Sequence, residues 1–315
     1  MDKSTEQHSG TLHLVVAITC HNRREKTTAC LRRLSQIGLD LEDAEAVDLD
    51  VVLVDDNSSD GTAAAVRNEF PDVALLEGDG SLFWNGGMRI AMSHAIDMDP
   101  EYILLLNDDT ELFEDSVKRL IEDHRRIKER RGCPIVIVGS TRDPDSGELT
   151  YGGWRRTGGI NPLRTAIVHP TEEPKICDTF NANCALISRE VLDRVGNLDA
   201  AYTHGFGDYD YGFRVQKQGG EVWVGSGVHG ECERDHGPRP WFEPKLSWWE
   251  RISALRDVKA EPLGERLTYA RRHAGARWPL SWLSPYIRVS LSHIFPDRFR
   301  PPAGPGERSS ESSTP

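Results

Sequence analysis

Four short apolar runs, each separated from the next by a stretch with helical spacing, limit what this chain can fold into: Leu12–Thr19, Asp50–Asp55, Val73–Leu76 and Tyr102–Leu106. Runs without polar alternation suit strands buried on both faces, and strands alternating with helices build an α/β sheet covered on two sides. Between them, Ala29, Cys30, Leu34 and Ile37 mark a helix over Arg24–Ile37 that stops at Gly38. A second helix runs from Thr62 to about Phe70, ended by Pro71, and others cover Gly87–Met98 and about Glu111 to Arg130. A strand at Pro134–Gly139 closes this half. Beyond Ser140 the pattern loosens into Gly-, Trp- and Pro-containing loops (Tyr151–Pro162), then strand Cys184–Ser188, helix Arg189–Val195 and a last strand, Glu221–Val224.

Three of these strands end in polar residues: Thr19–Arg23, Asp55–Asp60 and Asn107–Thr110. In open α/β sheets ligands bind beyond the carboxyl ends of strands, so these three ends are the place to look for function. Carboxylates there bind hard cations, and phosphorylated ligands need such cations. A nucleotide enzyme is the leading reading of the two acidic clusters, Asp55-Asp56-Asn57-Ser58-Ser59-Asp60-Gly61 and Asn107-Asp108-Asp109-Thr110. A third acidic group stands later, in Gly207-Asp208-Tyr209-Asp210-Tyr211.

Composition removes some alternatives. The net charge of −12 argues against a nucleic-acid binder, which carries a basic face. Six cysteines are scattered without a CxxC pair, as in a reduced, cytosolic chain; Cys232 and His236 have no second pair with which to complete a zinc site. The polar segment Met1–Gly10 lacks the apolar core of a secretory signal, and no run approaches the ~20 apolar residues that span a bilayer. From Trp241 the sequence turns helix-prone, aromatic and basic, and residues 300–315 are rich in Pro, Gly and Ser. Arg277–Arg300 has the mixture of aromatic anchors and cations found in helices lying at a membrane interface; packing on its own domain or on a partner subunit accounts for it equally.

Taken together, Val15–Asn22 (a strand and then Thr-x-x-Asn), Val52–Thr62, Leu104–Thr110, Val195–Asp199 and Gly207–Arg214 resemble one family in order and spacing. The chain looks like an inverting nucleotide-sugar glycosyltransferase of the GT-A fold, in the family 2 grouping that includes bacterial polysaccharide and rhamnosyl transferases. The resemblance covers roughly residues 12–232. It implies a mixed central sheet flanked by helices over 12–240; the residue pattern itself predicts a helical extension over 241–299 and disorder over 1–11 and 300–315.

Carried onto this sequence, the resemblance makes Asp56 the acceptor for the ring N–H of a uracil or thymine base, with His21 against the base and Thr19 and Asn22 in the same nucleotide site. Asp108 contacts the ribose or the metal shell, and Asp109 anchors Mg²⁺ or Mn²⁺ on the donor diphosphate. Asn107 stands at the first position of the DxD-type motif, which implies a weaker or more water-mediated hold on the metal. Asp208 is the base that deprotonates the acceptor hydroxyl, with Asp210 as its competitor. The Glu that often precedes this base is Gly207 here. Among the remaining candidates, His229 falls near a late metal-binding His of many relatives, Trp84 and Asn85 wall the donor sugar, and His204 and Arg214 are candidate acceptor or phosphate contacts.

The implied reaction is hexosyl transfer from a UDP- or dTDP-sugar to a hydroxyl of a glycan or lipid-linked acceptor, with rhamnose from dTDP-rhamnose slightly favoured. The implied setting is the cytoplasm or the inner face of the plasma membrane, as a monomer or a homo-oligomer. Two rivals stay open. A sugar-nucleotide pyrophosphorylase would show a Gly-rich, Arg/Lys-containing phosphate loop after the first strand, and Thr19–Arg24 is not one. A silent relative of the same fold would bind nucleotide without turnover.

Overall fold

The computed structural model describes residues 11–39, 41, 46–234, 240–243 and 245–295. The segments expected to be disordered, 1–11 and 300–315, lie outside the described residues except for Thr11, as does His236. The chain divides into two compact units, Met1–Arg234 and Asp235–Pro315.

The first unit opens with β1 (Leu12–Cys20), α1 (Arg24–Leu34), β2 (Val47–Asp55), α2 (Thr62–Glu69), β3 (Ala74–Glu77), α3 (Phe83–Asp97) and β4 (Tyr102–Leu106). There follow β5 (Glu111–Leu112), α4 (Ser116–Arg131), β6 (Ile135–Arg142), β7 (Leu149–Tyr151), β8 (Gly153–Arg156) and β9 (Thr165–Ile167). The unit closes with β10 (Lys175–Cys177), β11 (Thr179–Phe180), β12 (Cys184–Ser188), α5 (Arg189–Val195), α6 (Gly207–Lys217) and β13 (Glu221–Glu231). The main sheet runs β10-β13-β6-β12-β4-β1-β2-β3, with β5 beside β13 and β7 beside β6; β11-β8-β9 form a small second sheet. Strands β3, β2, β1 and β4 are mutually parallel, whereas β12 is antiparallel to both β4 and β6. The sheet is therefore mixed.

Alternate residues of β1 explain the unbroken apolar runs. Leu14, Val16 and Ile18 join Leu31, Leu34, Leu120 and Ile121 of α1 and α4 on one face. Val15 and Ala17 join Met88, Ala91, Met92 and Ala95 of α3 on the other. Every residue of β4 is buried for the same reason. Burial on both faces removes the polar alternation that a half-exposed strand would show. Helix α3 crosses β1 so closely that a side chain at Gly87 would overlap the Thr19 hydroxyl.

Several boundaries differ from the sequence expectation for visible reasons. The first helix ends at Leu34 rather than running to Ile37, because Gln36 and Ile37 bond back only three residues, to Arg33 and Leu34, and the chain tightens before Gly38. The helix expected from Glu111 begins at Ser116, since Glu111 and Leu112 pair with Glu231 and Gly230 of β13. Strand β13 reaches Glu231 rather than Val224, through a bulge between Val224 and Val228 where Gly225-Ser226-Gly227 interrupts the apolar pattern.

The second unit contains α7 (Trp248–Leu255), α8 (Leu263–His273) and α9 (Trp278–Ile294) around Ile252, Leu255 and Val289. Ser247 and Glu250 form a reciprocal capping box at the start of α7. Pro285 lies inside α9 and cannot donate to the Ser281 carbonyl. That oxygen instead accepts from Arg266 Nη2 of α8 at 2.7 Å and from Ser284 Oγ at 2.9 Å. No described helix is long and apolar enough to cross a membrane.

Candidate active site

The carboxyl ends of β1, β2 and β4 lie side by side, and the loops that leave them are stitched together. Asn22 links the first two: its N–H donates to Ser58 Oγ at 2.8 Å and its Oδ1 accepts from Ser59 N at 2.7 Å. The Asp60 carboxylate accepts from Arg24 N and Thr62 N, starting α1 and α2 from one side chain. His21 Nδ1 is 2.6 Å from the Asp56 carbonyl; a carbonyl only accepts, so Nδ1 carries the proton and Nε2 accepts from Asn22 Nδ2 at 3.0 Å. Asn22, Asn57, Phe83 and Phe206 all have left-handed backbones, four of the five such non-glycine residues among those described. Each belongs to a loop of this site, and a phenylalanine side chain, unlike that of Asn, cannot hydrogen-bond to the local backbone in this conformation.

Asp56 is buried, and its carboxylate already takes three backbone donors from the loop before α3. Oδ1 accepts from Gly80 N at 2.8 Å, and Oδ2 from Leu82 N and Phe83 N at 3.0 and 3.1 Å. Whatever else it touches, this side chain shapes the turn that aims Phe83, Trp84 and Asn85.

The second cluster is sealed by a cation. Arg23 Nη1 donates to Asp109 Oδ2 at 2.7 Å and lies 3.4 Å from Asp108 Oδ1. Asp108 also accepts from Thr27 Oγ1, and Asp109 from the Cys232 thiol at 3.6 Å. Burial, then the neighbouring Asp109 charge, raises the Asp108 pKa from its usual 3.8 to about 7, against the pull of Arg23 and Thr27. Asn107 faces the other way and accepts from Trp84 Nε1 at 2.8 Å. Beside the pair lies a cleft of about 160 Å³ lined by Lys26, Asp109, Glu111, Pro144, Glu231, Cys232 and Glu233.

The donor set suits a hard divalent cation: carboxylate oxygens, in a place that already holds a positive group. Among the described residues no three or more His, Cys, Asp or Glu side chains converge on one point. A cation here would complete its coordination with water or ligand oxygens. His229 is fully buried in the β13 bulge against Gly225 and Gly139, where burial drops its pKa to about 3 and keeps the imidazole neutral, with neither ring nitrogen hydrogen-bonded among the described residues.

Asp208 sits in the first turn of α6, where the helix dipole favours an anion. Its oxygens accept from Tyr209 N at 2.8 Å and Ala182 N at 3.3 Å, and the Asn181 amide also reaches it. Burial still dominates and raises its pKa from 3.8 to about 6. Asp210 faces the interior. It is fully buried, with Oδ1 accepting from Tyr202 OH at 3.0 Å and Oδ2 from Arg214 Nε at 2.8 Å. Arg214 is committed as well, to the carbonyls of Val195 and Asn197. His204 stacks edge-on against Phe83 with centroids 6.3 Å apart.

Two pairs of adjacent residues join Asp208 to the acid pair. Asn183 O accepts from Asn107 N at 3.1 Å while its neighbour Ala182 holds Asp208. Trp84 bonds Asn107 while its neighbour Asn85 lies against Gly207, so closely that a Cβ there would come 1.8 Å from Asn85 Oδ1. Asn85 is thus a buried spacer, its amide donating to the carbonyls of Asp199 and Tyr202. The residue before Asp208 has to be glycine in this packing.

Sequence reasoning left out three contributors: Arg23, Asn181 and Cys232. Arg23 lies in the flagged segment Thr19–Arg23 and Cys232 was weighed only as a zinc ligand; their contacts with the acid pair come from the fold. The signal for Asn181 was its place, with Asn183, just ahead of the apolar run Cys184–Ser188.

Residues 15–196, more than half of the chain, match the family model Glycosyl transferase family 2. The chain belongs to glycosyl transferase family 2. Its mixed sheet with flanking helices is the GT-A architecture expected of this family. Within it, the chain is 25% identical over 194 residues to the N-acetylglucosaminyl-diphospho-decaprenol L-rhamnosyltransferase of Mycobacterium tuberculosis, covering 54% of this chain and 61% of that protein. It is 22% identical over 193 residues to the low-salt glycan biosynthesis hexosyltransferase Agl10 of Haloferax volcanii, covering 57% and 58%. The match therefore spans about six tenths of the length of these curated relatives. Among solved structures, the mannosyltransferase PcManGT from Pyrobaculum calidifontis, in complex with GDP-Man and Mn²⁺, is similar at a TM-score of 0.49 with 18% identity, over 89% of this chain and 75% of that one. S. aureus TarS 1-349 in complex with UDP-GlcNAc gives the same score at 11% identity, over 89% and 81%.

Proposed function

We propose that this family 2 protein is an inverting hexosyltransferase that uses a UDP- or dTDP-sugar and glycosylates a hydroxyl of a lipid-linked glycan. The observation that carries the reading is the linkage of Asp208 to the Asp108–Asp109 loop through Ala182 and Asn183. A carboxylate at the start of α6 is thereby tied to an acid pair suited to a cation, which supplies a base on one side and charge stabilisation of the leaving diphosphate on the other.

In this reading Asp208 Oδ takes the proton of the acceptor hydroxyl as that oxygen attacks the anomeric carbon from the side opposite the diphosphate. A pKa of about 6 makes it a stronger base than an ordinary carboxylate while leaving it ionised at neutral pH. Asp108 and Asp109 would hold Mg²⁺ or Mn²⁺, which neutralises charge on the departing diphosphate when bound. Trp84, oriented by Asn107, offers its face to the donor sugar. His21, Asn22, Thr19 and Asp56 form the base and ribose end, with Asp56 acting largely by fixing the Gly80–Phe83 turn. We assign Asp210 to support of the α6 start.

We further place the protein on the inner face of the plasma membrane. Helix α9 supports this: Leu280, Leu283, Ile287 and Ile294 recur on one side, all at least 40% exposed, while Ser281, Val289 and Ser292 are buried on the other. From Arg266 to Phe295 the chain has five arginines and no Asp or Glu. Apolar side chains in a segment that carries arginines and no acid suit an anionic lipid surface, where a polyprenyl-linked acceptor would reside.

A screen of UDP-, dTDP- and GDP-sugars for donor hydrolysis, with and without Mn²⁺, tests the activity. Turnover with a UDP- or dTDP-sugar is expected. A wild-type protein that binds the nucleotide but turns over no donor with any acceptor would identify it as a silent relative, in which Arg23 keeps the acid pair occupied permanently.

A further inference from the structure

The Asp108 and Asp109 side chains are 6% and 7% exposed, and Arg23 covers them at 36%. Two adjacent carboxylates with so little water repel each other, and a cation between them relieves the repulsion. The backbone on either side of Arg23 is pinned, Asn22 N on Ser58 Oγ at 2.8 Å and Arg24 N on Asp60 Oδ2 at 2.9 Å. Its side chain can therefore leave the carboxylates by rotation alone, with no movement of α1. The guanidinium fork matches a phosphate group as well as it matches a carboxylate.

We propose that Arg23 is an exchangeable counter-ion: it holds Asp108 and Asp109 in the ligand-free protein, gives them up when a divalent cation enters, and then pairs with the diphosphate of the nucleotide. The proposal rests on reading the acid pair as the cation anchor and adds a residue which that reading does not use. Its consequence is coupling. A metal ion alone must displace Arg23 without giving it a new partner, so it binds poorly; with a nucleoside diphosphate present, Arg23 exchanges one anion for another. The two ligands then favour each other by the same factor, whichever binds first.

Calorimetry on the full chain at pH 8, above the Asp108 pKa of about 7, separates this from a merely structural role. Three titrations are compared in wild type, Arg23→Gln and Arg23→Lys: Mn²⁺ alone, UDP alone, and UDP in saturating Mn²⁺. In Arg23→Gln, Mn²⁺ alone should bind on the order of tenfold tighter and UDP with Mn²⁺ on the order of tenfold weaker, a shift of the size usual for coupled sites. Arg23→Lys keeps the charge and should leave Mn²⁺ affinity near wild type while losing part of the diphosphate contact. Opposite signs are decisive, since damage to the loop would weaken both. If both constants weaken together, or neither changes, while wild type binds normally, the counter-ion role is wrong. If wild type binds Mn²⁺ and UDP with no mutual effect, the exchange is absent although the site is real. If wild type binds neither UDP nor dTDP with or without Mn²⁺, the reading of the acid pair itself falls.

Discussion

Asp208 is where pH acts most directly. The folded protein holds its proton up to about pH 6, whereas the unfolded chain releases it near 3.8. Stability associated with the protonated form is therefore present below about pH 4, declines as pH rises to about 6, and is absent above. Asp208→Asn should raise the melting temperature at pH 8, by an amount corresponding to about 1–3 kcal/mol, and leave it unchanged at pH 4. A lower melting temperature at pH 8 would mean that the ionised carboxylate is stabilised where it sits. The same substitution should abolish transfer with donor binding intact. In the wild type, transfer should fall as pH drops below about 6, because Asp208 takes up a proton; a rate flat from pH 5 to 8 would exclude its role as base. Asp56, Asp108, Asp109 and Asp208 could be picked out from sequence because each stands next to a strand or in a Gly-flanked turn. Arg23 could not, being one of 38 lysines and arginines, and neither could the burial of Asp210, which follows from the depth at which α6 packs.

Elements were legible to the extent that their own residues determine them. Strand β4 is apolar throughout because both faces are covered, so its five residues were read without error. Strands β5, β8, β9, β10 and β11 are two to four residues long and exist only through their partners, which no local pattern encodes. In the helical unit, α9 tolerates Pro285 because Arg266 of α8 supplies a donor to the Ser281 carbonyl. Arg266 also bonds Trp282 O and Ser284 Oγ and pairs with Glu261. Arg266→Met would strand these acceptors and leave Glu261 without its cation. We expect a loss of about 2–4 kcal/mol in urea unfolding, with Pro285→Ala restoring part of it in the double variant. Strict additivity of the two changes would show that Arg266 does not compensate for the proline.

At the scale of the whole molecule, charge is unevenly distributed: a chain of net charge −12 carries an acid-free, arginine-bearing segment from Arg266 to Phe295. Vesicle sedimentation should therefore depend on lipid charge, with the protein bound to phosphatidylglycerol vesicles and left in solution by phosphatidylcholine. Leu283→Ser with Ile287→Ser should abolish the binding, and about 0.5 M salt should weaken it. Equal sedimentation with neutral vesicles, or a concentration-dependent dimer that the two serines dissolve, would assign the α9 face to another partner. Finally, the space that a side chain at position 207 would need is filled by the Asn85 amide, from a distant part of the chain. The two positions are therefore coupled: a Glu before Asp208 would need a residue smaller than Asn at 85.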